Sequence, residues 1–215
     1  MGKLTPFRAK EAGEGAGTAN YRLSPWRKMC GAGVEVMQLR RSVALIGMMG
    51  AGKTAVGTAL ARQLSVPFLD SDEEITRAAQ MSVAEIFARD GEPFFRARES
   101  EVLARLLNGP PAILSTGGGA FLAEQNRRAI AARGVAVWLK ADLELLWQRV
   151  RHKTTRPLLR THDPKGTLAR LLEERAPVYA LADVVVEAEP DLSVEQMAAK
   201  VVRALADHGD VTGEA

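Results

Sequence analysis

The sequence predicts an α/β protein, a three-layer α/β/α sandwich around a parallel sheet, and two observations carry that expectation. From Ser42 onward short apolar runs alternate with segments of helical periodicity, the pattern of strands joined by crossover helices. A glycine-rich turn lies between the first such run and the first helix, at the carboxyl edge where open parallel sheets place their ligands. A length of 215 residues, 47% hydrophobic and 26% charged, suits one buried core rather than two.

The elements follow in order. Val43–Ile46 reads as the first strand, Lys53–Leu64 as a helix and Pro67–Leu69 as the second strand. Helices are expected at Glu73–Ala79, Val83–Ala88 and Pro93–Leu107, then strands at Ala112–Ser115 and Val135–Leu139. Leu143–Arg151 reads as a helix capped by Asp142. Lys153–Lys165 is polar and carries Pro157 and Pro164, so it reads as a long mobile loop, within a lid at about residues 152–166. Thr167–Arg175 is a helix and Val184–Val186 the last strand. Val194–Ala206 closes the domain: Ser193 and Gln196 form a capping box, and Val194, Met197, Ala198, Val201, Val202 and Leu205 recur at helical spacing.

Charge divides the chain at about residue 41. Residues 1–41 hold eight Lys or Arg against three Glu, a net of +5, which leaves −2 for the remainder of a chain whose formal total is +3. With no apolar periodicity before Gln38, residues 1–41 read as a basic, disordered extension ahead of one domain at 42–207, with 208–215 as a flexible tail. Aromatic residues do not interleave with the basic ones, so the extension reads as solvating and not as a nucleic-acid binder. No apolar run approaches the roughly 18 residues of a membrane helix, and the first residues lack the apolar core of a signal peptide. One cysteine, Cys30, allows no internal disulfide, and His152, His162 and His208 are scattered. These features lead us to expect a cytoplasmic monomer with no nucleic-acid or membrane partner.

The strongest chemical signal is Gly47-Met48-Met49-Gly50-Ala51-Gly52-Lys53-Thr54, a G-x-x-x-x-G-K-[ST] loop between a strand and a helix. Its glycines let the backbone wrap so that N–H groups and the helix N-terminus converge on phosphates, with Ala51 and Ala55 among the flanking contacts. Lys53 reaches the outer phosphates, and Thr54 offers a hydroxyl to Mg²⁺. Such a loop predicts ATP binding on a P-loop NTPase fold, yet GTPases, motors and small-molecule kinases share it. Asp70 and Asp72, two apart at a strand end, read either as a functional pair at the sheet edge or as caps of the next helix.

Three further segments narrow the choice: Phe68-Leu69-Asp70-Ser71-Asp72; Ile86 to Glu99, with Gly91-Glu92-Pro93-Phe94-Phe95-Arg96-Ala97-Arg98-Glu99; and Leu114-Ser115-Thr116-Gly117-Gly118-Gly119-Ala120. Arg156-Pro157-Leu158-Leu159 follows. In this order and spacing the set resembles the shikimate kinases, from about Val43 to Leu205, which implies a nucleoside-monophosphate-kinase-like fold. The resemblance implies ATP and Mg²⁺ as cosubstrate and metal, shikimate as acceptor, and an acceptor-binding segment at about residues 70–99. It assigns Asp70 to Mg²⁺, Asp72 to the acceptor hydroxyl as proton acceptor, and Arg96 and Arg175 to the acceptor's carboxylate.

Physical chemistry is compatible with each role. Guanidinium forks suit planar carboxylates, and Glu99 can orient Arg96 from one turn away. Gly117, Gly118 and Gly119 let the backbone approach a ligand with no Cβ in the way. Ser115 stands where many P-loop NTPases carry a metal-orienting Asp, which argues against a motor or transporter. Arg156 reads as a lid arginine closing over the γ-phosphate, and Arg149 as a weaker nucleotide contact. Residues 187–192 correspond to the loop beside adenine, with no single residue assigned. The rivals are a gluconate or nucleotide kinase and a catalytically silent homologue.

Overall fold

A computed structural model describes residues 37–152, 157–159 and 161–212. Five parallel strands form the central sheet: β2 (Ser42–Ile46), β3 (Phe68–Asp70), β4 (Ile113–Ser115), β5 (Gly134–Lys140) and β6 (Val184–Glu187). Their spatial order is β3-β4-β2-β5-β6. Every residue of β2 is buried, as expected for a central strand covered on both faces, and after Ser42 it reads as an unbroken apolar run. Register places Leu45 beside both Ser115 and Val137, and Asp70 beside Ser115. The ends of β2, β3 and β4 therefore lie side by side at one edge.

Helices connect the strands: α1 (Lys53–Gln63), α2 (Ser71–Ala79), α3 (Val83–Leu107), α4 (Glu124–Arg133), α5 (Leu143–Val150), α6 (Pro164–Tyr179) and α7 (Val194–His208). Asp142 caps α5 by accepting from the Leu145 N–H, and Ser193 with Gln196 forms the expected capping box of α7. Helix α1 packs on α7, and Gly57 is what permits α1 to lie close to the sheet. A Cβ there would meet the Phe68 ring at 2.7 Å and Leu45 Cδ1 at 2.9 Å.

Several elements differ from the sequence reading. The two helices expected at 83–88 and 93–107 are both present within α3, separated by a kink at Gly91, whose φ of 82° and ψ of 168° are not helical. Helix α4 has no counterpart in that reading: Ala123 supplies no side-chain cap, and only Asn126 and Ile130 are buried, so its apolar signal is nearly absent. Helix α6 begins three residues early, at Pro164, because Asp163 caps it through the Gly166 N–H, and it runs on through Pro177 to Tyr179. Of the expected lid, Pro157–Leu159 forms a single 3-10 turn, whereas Arg156 lies outside the described residues.

The domain edges also move. Gln38–Leu39 (β1) pairs antiparallel with Val211–Thr212 (β7), in segments that the sequence reading assigns to the extension and the flexible tail. Arg41 Nε donates to Asp210 Oδ1 at 2.7 Å, and His208 Nδ1 lies 2.6 Å from Asp210 Oδ2. Residues 38–41 and 208–212 are therefore built into the domain. The rest of the expected extension, residues 1–36, lies outside the described residues.

Candidate active site

The glycine-rich loop leaves β2 and enters α1. Gly47, Gly50 and Gly52 have φ of 133°, 88° and 94°, a region that favours glycine. Two of them are also sterically required, since a Cβ on Gly47 would lie 2.8 Å from the Leu139 carbonyl and one on Gly50 2.8 Å from Val150 Cγ1. The Lys53 ammonium folds back over the loop and donates to the Gly47 and Met48 carbonyls at 2.9 and 3.1 Å. Arg149, on α5, donates to the Gly50 carbonyl at 3.3 Å and so reaches the same loop. Ala51 and Ala55 line the cleft with it.

Asp70 is a helix cap, one of its two sequence readings, and also contacts Thr54. Its Oδ1 caps α2, accepting from the Asp72 and Glu73 N–H groups at 3.0 and 3.4 Å, while its Oδ2 accepts from the Thr54 hydroxyl at 3.4 Å. One carboxylate thus terminates a strand, starts a helix and faces the phosphate loop.

Asp72 lies on the first turn of α2 beside the Gly117–Gly119 turn that follows β4. A Cβ on Gly117 would stand 2.9 Å from Asp72 Oδ1 and 2.8 Å from Glu99 Oε1, so only glycine admits both carboxylates at that distance. The Ser71 hydroxyl accepts from the Gly117 N–H at 3.4 Å and ties the turn to α2.

Arg96 lies on α3 with its guanidinium against Gly119, where a Cβ would fall 2.6 Å from Nη2. Two carboxylates hold it: Glu99 Oε2 accepts from Nη1 at 2.8 Å, and Glu92 Oε1 accepts from Nε and Nη2 at 3.2 and 3.0 Å. Glu99 is 1% exposed. Burial pushes its pKa up, and the opposing charge and hydrogen bond of Arg96 only partly offset that. Arg175, on α6, donates from Nη1 to the Gly118 carbonyl at 3.3 Å, and the Tyr179 hydroxyl donates to the same oxygen.

Gly50 to Thr54 of the phosphate loop, Asp70, Asp72, Gly117, Gly118 and Arg149 line one cleft of about 900 Å³. Arg96 and Arg175 reach Gly119 and Gly118 at the neighbouring turn without lining that cleft. Ala188, Glu189 and Leu192, from the segment expected beside adenine, line it as well. Sequence reasoning missed Glu92, Ser71 and Tyr179. Spacing could have found Glu92, four residues before Arg96, and Tyr179, four after Arg175. Nothing in the sequence marks the Ser71 contact.

A family model described as shikimate kinase matches residues 49–206. The shikimate kinase of Cereibacter sphaeroides is 67% identical over 180 residues, covering 83% of this chain and 90% of that one. That of Ruegeria pomeroyi is 64% identical over 173 residues, covering 80% and 89%. The solved shikimate kinase from Acinetobacter baumannii in complex with shikimate superposes with a TM-score of 0.75 at 37% identity, covering 78% of this chain and 94% of that one. With residues 49–54 of the phosphate loop, the α2 and α3 carboxylates and the triple-glycine turn inside the matched region, the chain belongs to the shikimate kinase family.

Proposed function

We infer that this chain transfers the γ-phosphoryl group of ATP to the 3-hydroxyl of shikimate, giving shikimate 3-phosphate and ADP, a step of aromatic amino-acid biosynthesis. The observation that carries the acceptor assignment is the gathering of Asp72, Arg96 and Arg175 at one glycine turn beside a phosphate loop. One carboxylate can take a hydroxyl proton there while two guanidinium groups grip an acid. A nucleotide acceptor needs no such arginine pair.

The chain's residues divide the work. Loop N–H groups, the α1 N-terminus and Lys53 neutralise the phosphates, and Arg149 adds a contact to the loop side of the nucleotide. Asp72 accepts the proton of the 3-hydroxyl as its oxygen bonds to the γ-phosphorus. The bond from that phosphorus to the bridging oxygen breaks, and ADP leaves with the electron pair. Arg96 and Arg175 hold the carboxylate by charge-assisted hydrogen bonds, which orients the ring for in-line transfer. Arg156, in the lid, covers the γ-phosphate and excludes water.

Thr54 Oγ1 and Asp70 Oδ2, 3.4 Å apart, are oxygen donors of the hard type that Mg²⁺ favours, and that ion commonly takes one or two protein ligands plus phosphates and water. When bound, it neutralises charge on the phosphate oxygens. No helix among the described residues is long and apolar enough to cross a membrane. The proposal includes a cytoplasmic, monomeric enzyme with small molecules as its only partners.

A coupled ADP-release assay of the purified chain against shikimate, gluconate and nucleoside monophosphates tests the reading. Turnover is expected with shikimate and at background level with the others. Equal turnover of gluconate would remove the acid-aromatic-precursor assignment and leave only a small-molecule kinase.

A further inference from the structure

Tyr179 is wholly buried, yet it brings a hydroxyl into the core behind the acceptor turn. Its ring packs against Trp138 with centroids 5.9 Å apart. The hydroxyl donates to the Gly118 carbonyl, and Arg175, one helical turn earlier, donates to the same oxygen at 3.3 Å. Burial raises the phenol pKa, against the opposing influence of Arg175, so the group stays a protonated donor at neutral pH.

The consequence lies on the far side of the peptide. In a planar trans peptide the carbonyl of Gly118 and the N–H of Gly119 point in opposite directions. With the carbonyl drawn toward the buried phenol, the Gly119 N–H faces outward, on the side where Gly118 borders the cleft and the Arg96 guanidinium packs against Gly119. No described residue accepts a hydrogen bond from the Gly119 N–H.

Resting on the acceptor assignment above, we propose that Tyr179 is a positioning residue for acid recognition. By holding the Gly118 carbonyl and Arg175 from the core side, it aims the Gly119 N–H as a third donor at the acceptor's carboxylate, beside Arg96 and Arg175. A tyrosine serving the core alone would affect stability without distinguishing one acceptor from another.

The test compares wild type and Tyr179→Phe with two acceptors, shikimate and its analogue in which the carboxylate is reduced to an alcohol. Tyr179→Phe should raise the KM for shikimate about five- to tenfold, leave the KM for ATP within about twofold, and leave the KM for the alcohol nearly unchanged. An equal rise for both acceptors, or a change in melting temperature with no change in KM, overturns the proposal. Wild-type turnover of shikimate in the same assay tests the acceptor assignment separately. Should Tyr179→Phe fail to fold, ¹⁵N-glycine spectra of the wild type decide: the Gly119 amide should shift on adding shikimate and not on adding the alcohol. An unresponsive Gly119 amide overturns the proposal.

Discussion

Glu99 holds Arg96 beside the triple-glycine turn, accepting from its Nη1 at 2.8 Å while being itself only 1% exposed. A charge buried to that degree is retained because it is paired, and the pairing fixes the arginine in one orientation. Glu99→Gln keeps the shape but replaces a charge-assisted bond with a neutral one. Because Arg96 is 32% exposed and also held by Glu92, the effect should be moderate. Steady-state kinetics should show the KM for shikimate rising about three- to tenfold with the KM for ATP steady. An unchanged KM would mean that Glu92 alone orients the guanidinium.

Lys53 and Asp72 should fail in different ways. Lys53→Ala removes the ammonium that caps the phosphate loop, and both nucleotide affinity and turnover should collapse. Asp72→Asn leaves the loop intact, so ATP binding measured by calorimetry should stay within about threefold while kcat falls by about two orders of magnitude or more, the usual scale for a lost general base. Near wild-type turnover by Asp72→Asn would rule out its role as proton acceptor.

The phosphate loop was legible because its chemistry needs a contiguous string of residues, and Gly47 to Thr54 fall as that string requires. Arg96 and Arg175, 79 positions apart, could be connected only through resemblance, because no periodicity links α3 to α6. The i,i+3 contact of Glu99 with Arg96 was readable from spacing, whereas for Tyr179 spacing shows only its place one turn after Arg175, and its contact with Gly118 spans 61 residues. Helix α4 went unseen for want of a cap and an apolar stripe. The β1–β7 pair was missed because two-residue strands carry too little pattern to read.

Gly117→Ala tests how closely the two carboxylates approach the turn. The new methyl would stand 2.8 Å from Glu99 Oε1 and 2.9 Å from Asp72 Oδ1, so at least one side chain has to shift. Glu99 is pinned by burial and by Arg96, which leaves Asp72 to move. Turnover should fall at least tenfold, since a displacement of about 1 Å at a reacting group can cost about a hundredfold. Unaltered kcat would show that Asp72 is not fixed where the turn meets α2.

Asp210 gives a pH signature. Burial acts to raise its pKa, but hydrogen bonds from Arg41 and His208 outweigh that and hold it below the usual carboxylate value. A carboxylate depressed in the folded state contributes stability above its unfolded pKa, near 4, and loses it as pH falls through the lower folded value. Asp210→Asn should therefore lower the melting temperature at pH 7. With Arg41 43% exposed, the loss should be no more than about 1–2 kcal/mol, or roughly 2–6 °C. The difference between the two proteins should shrink below about pH 4. A gap independent of pH would mean the asparagine acts through packing.

The same contacts decide where the domain starts. A chain beginning at Gln38 keeps β1, the burial of Leu39 and the Arg41–Asp210 pair, and should retain both activity and melting temperature. A chain beginning at Ser42 loses all three. Exposing or deleting one buried leucine costs about 1.5–3 kcal/mol, and the half-exposed ion pair adds at most about 1. For a domain of this size that corresponds to a drop of roughly 3–16 °C. The active-site cleft is lined by none of these residues, so kcat at 25 °C should be nearly the same for both chains. Equal melting temperatures for the two would show that β1 contributes nothing to the fold. A drop already present in the chain beginning at Gln38 would show that residues before it contribute to the stability of the domain.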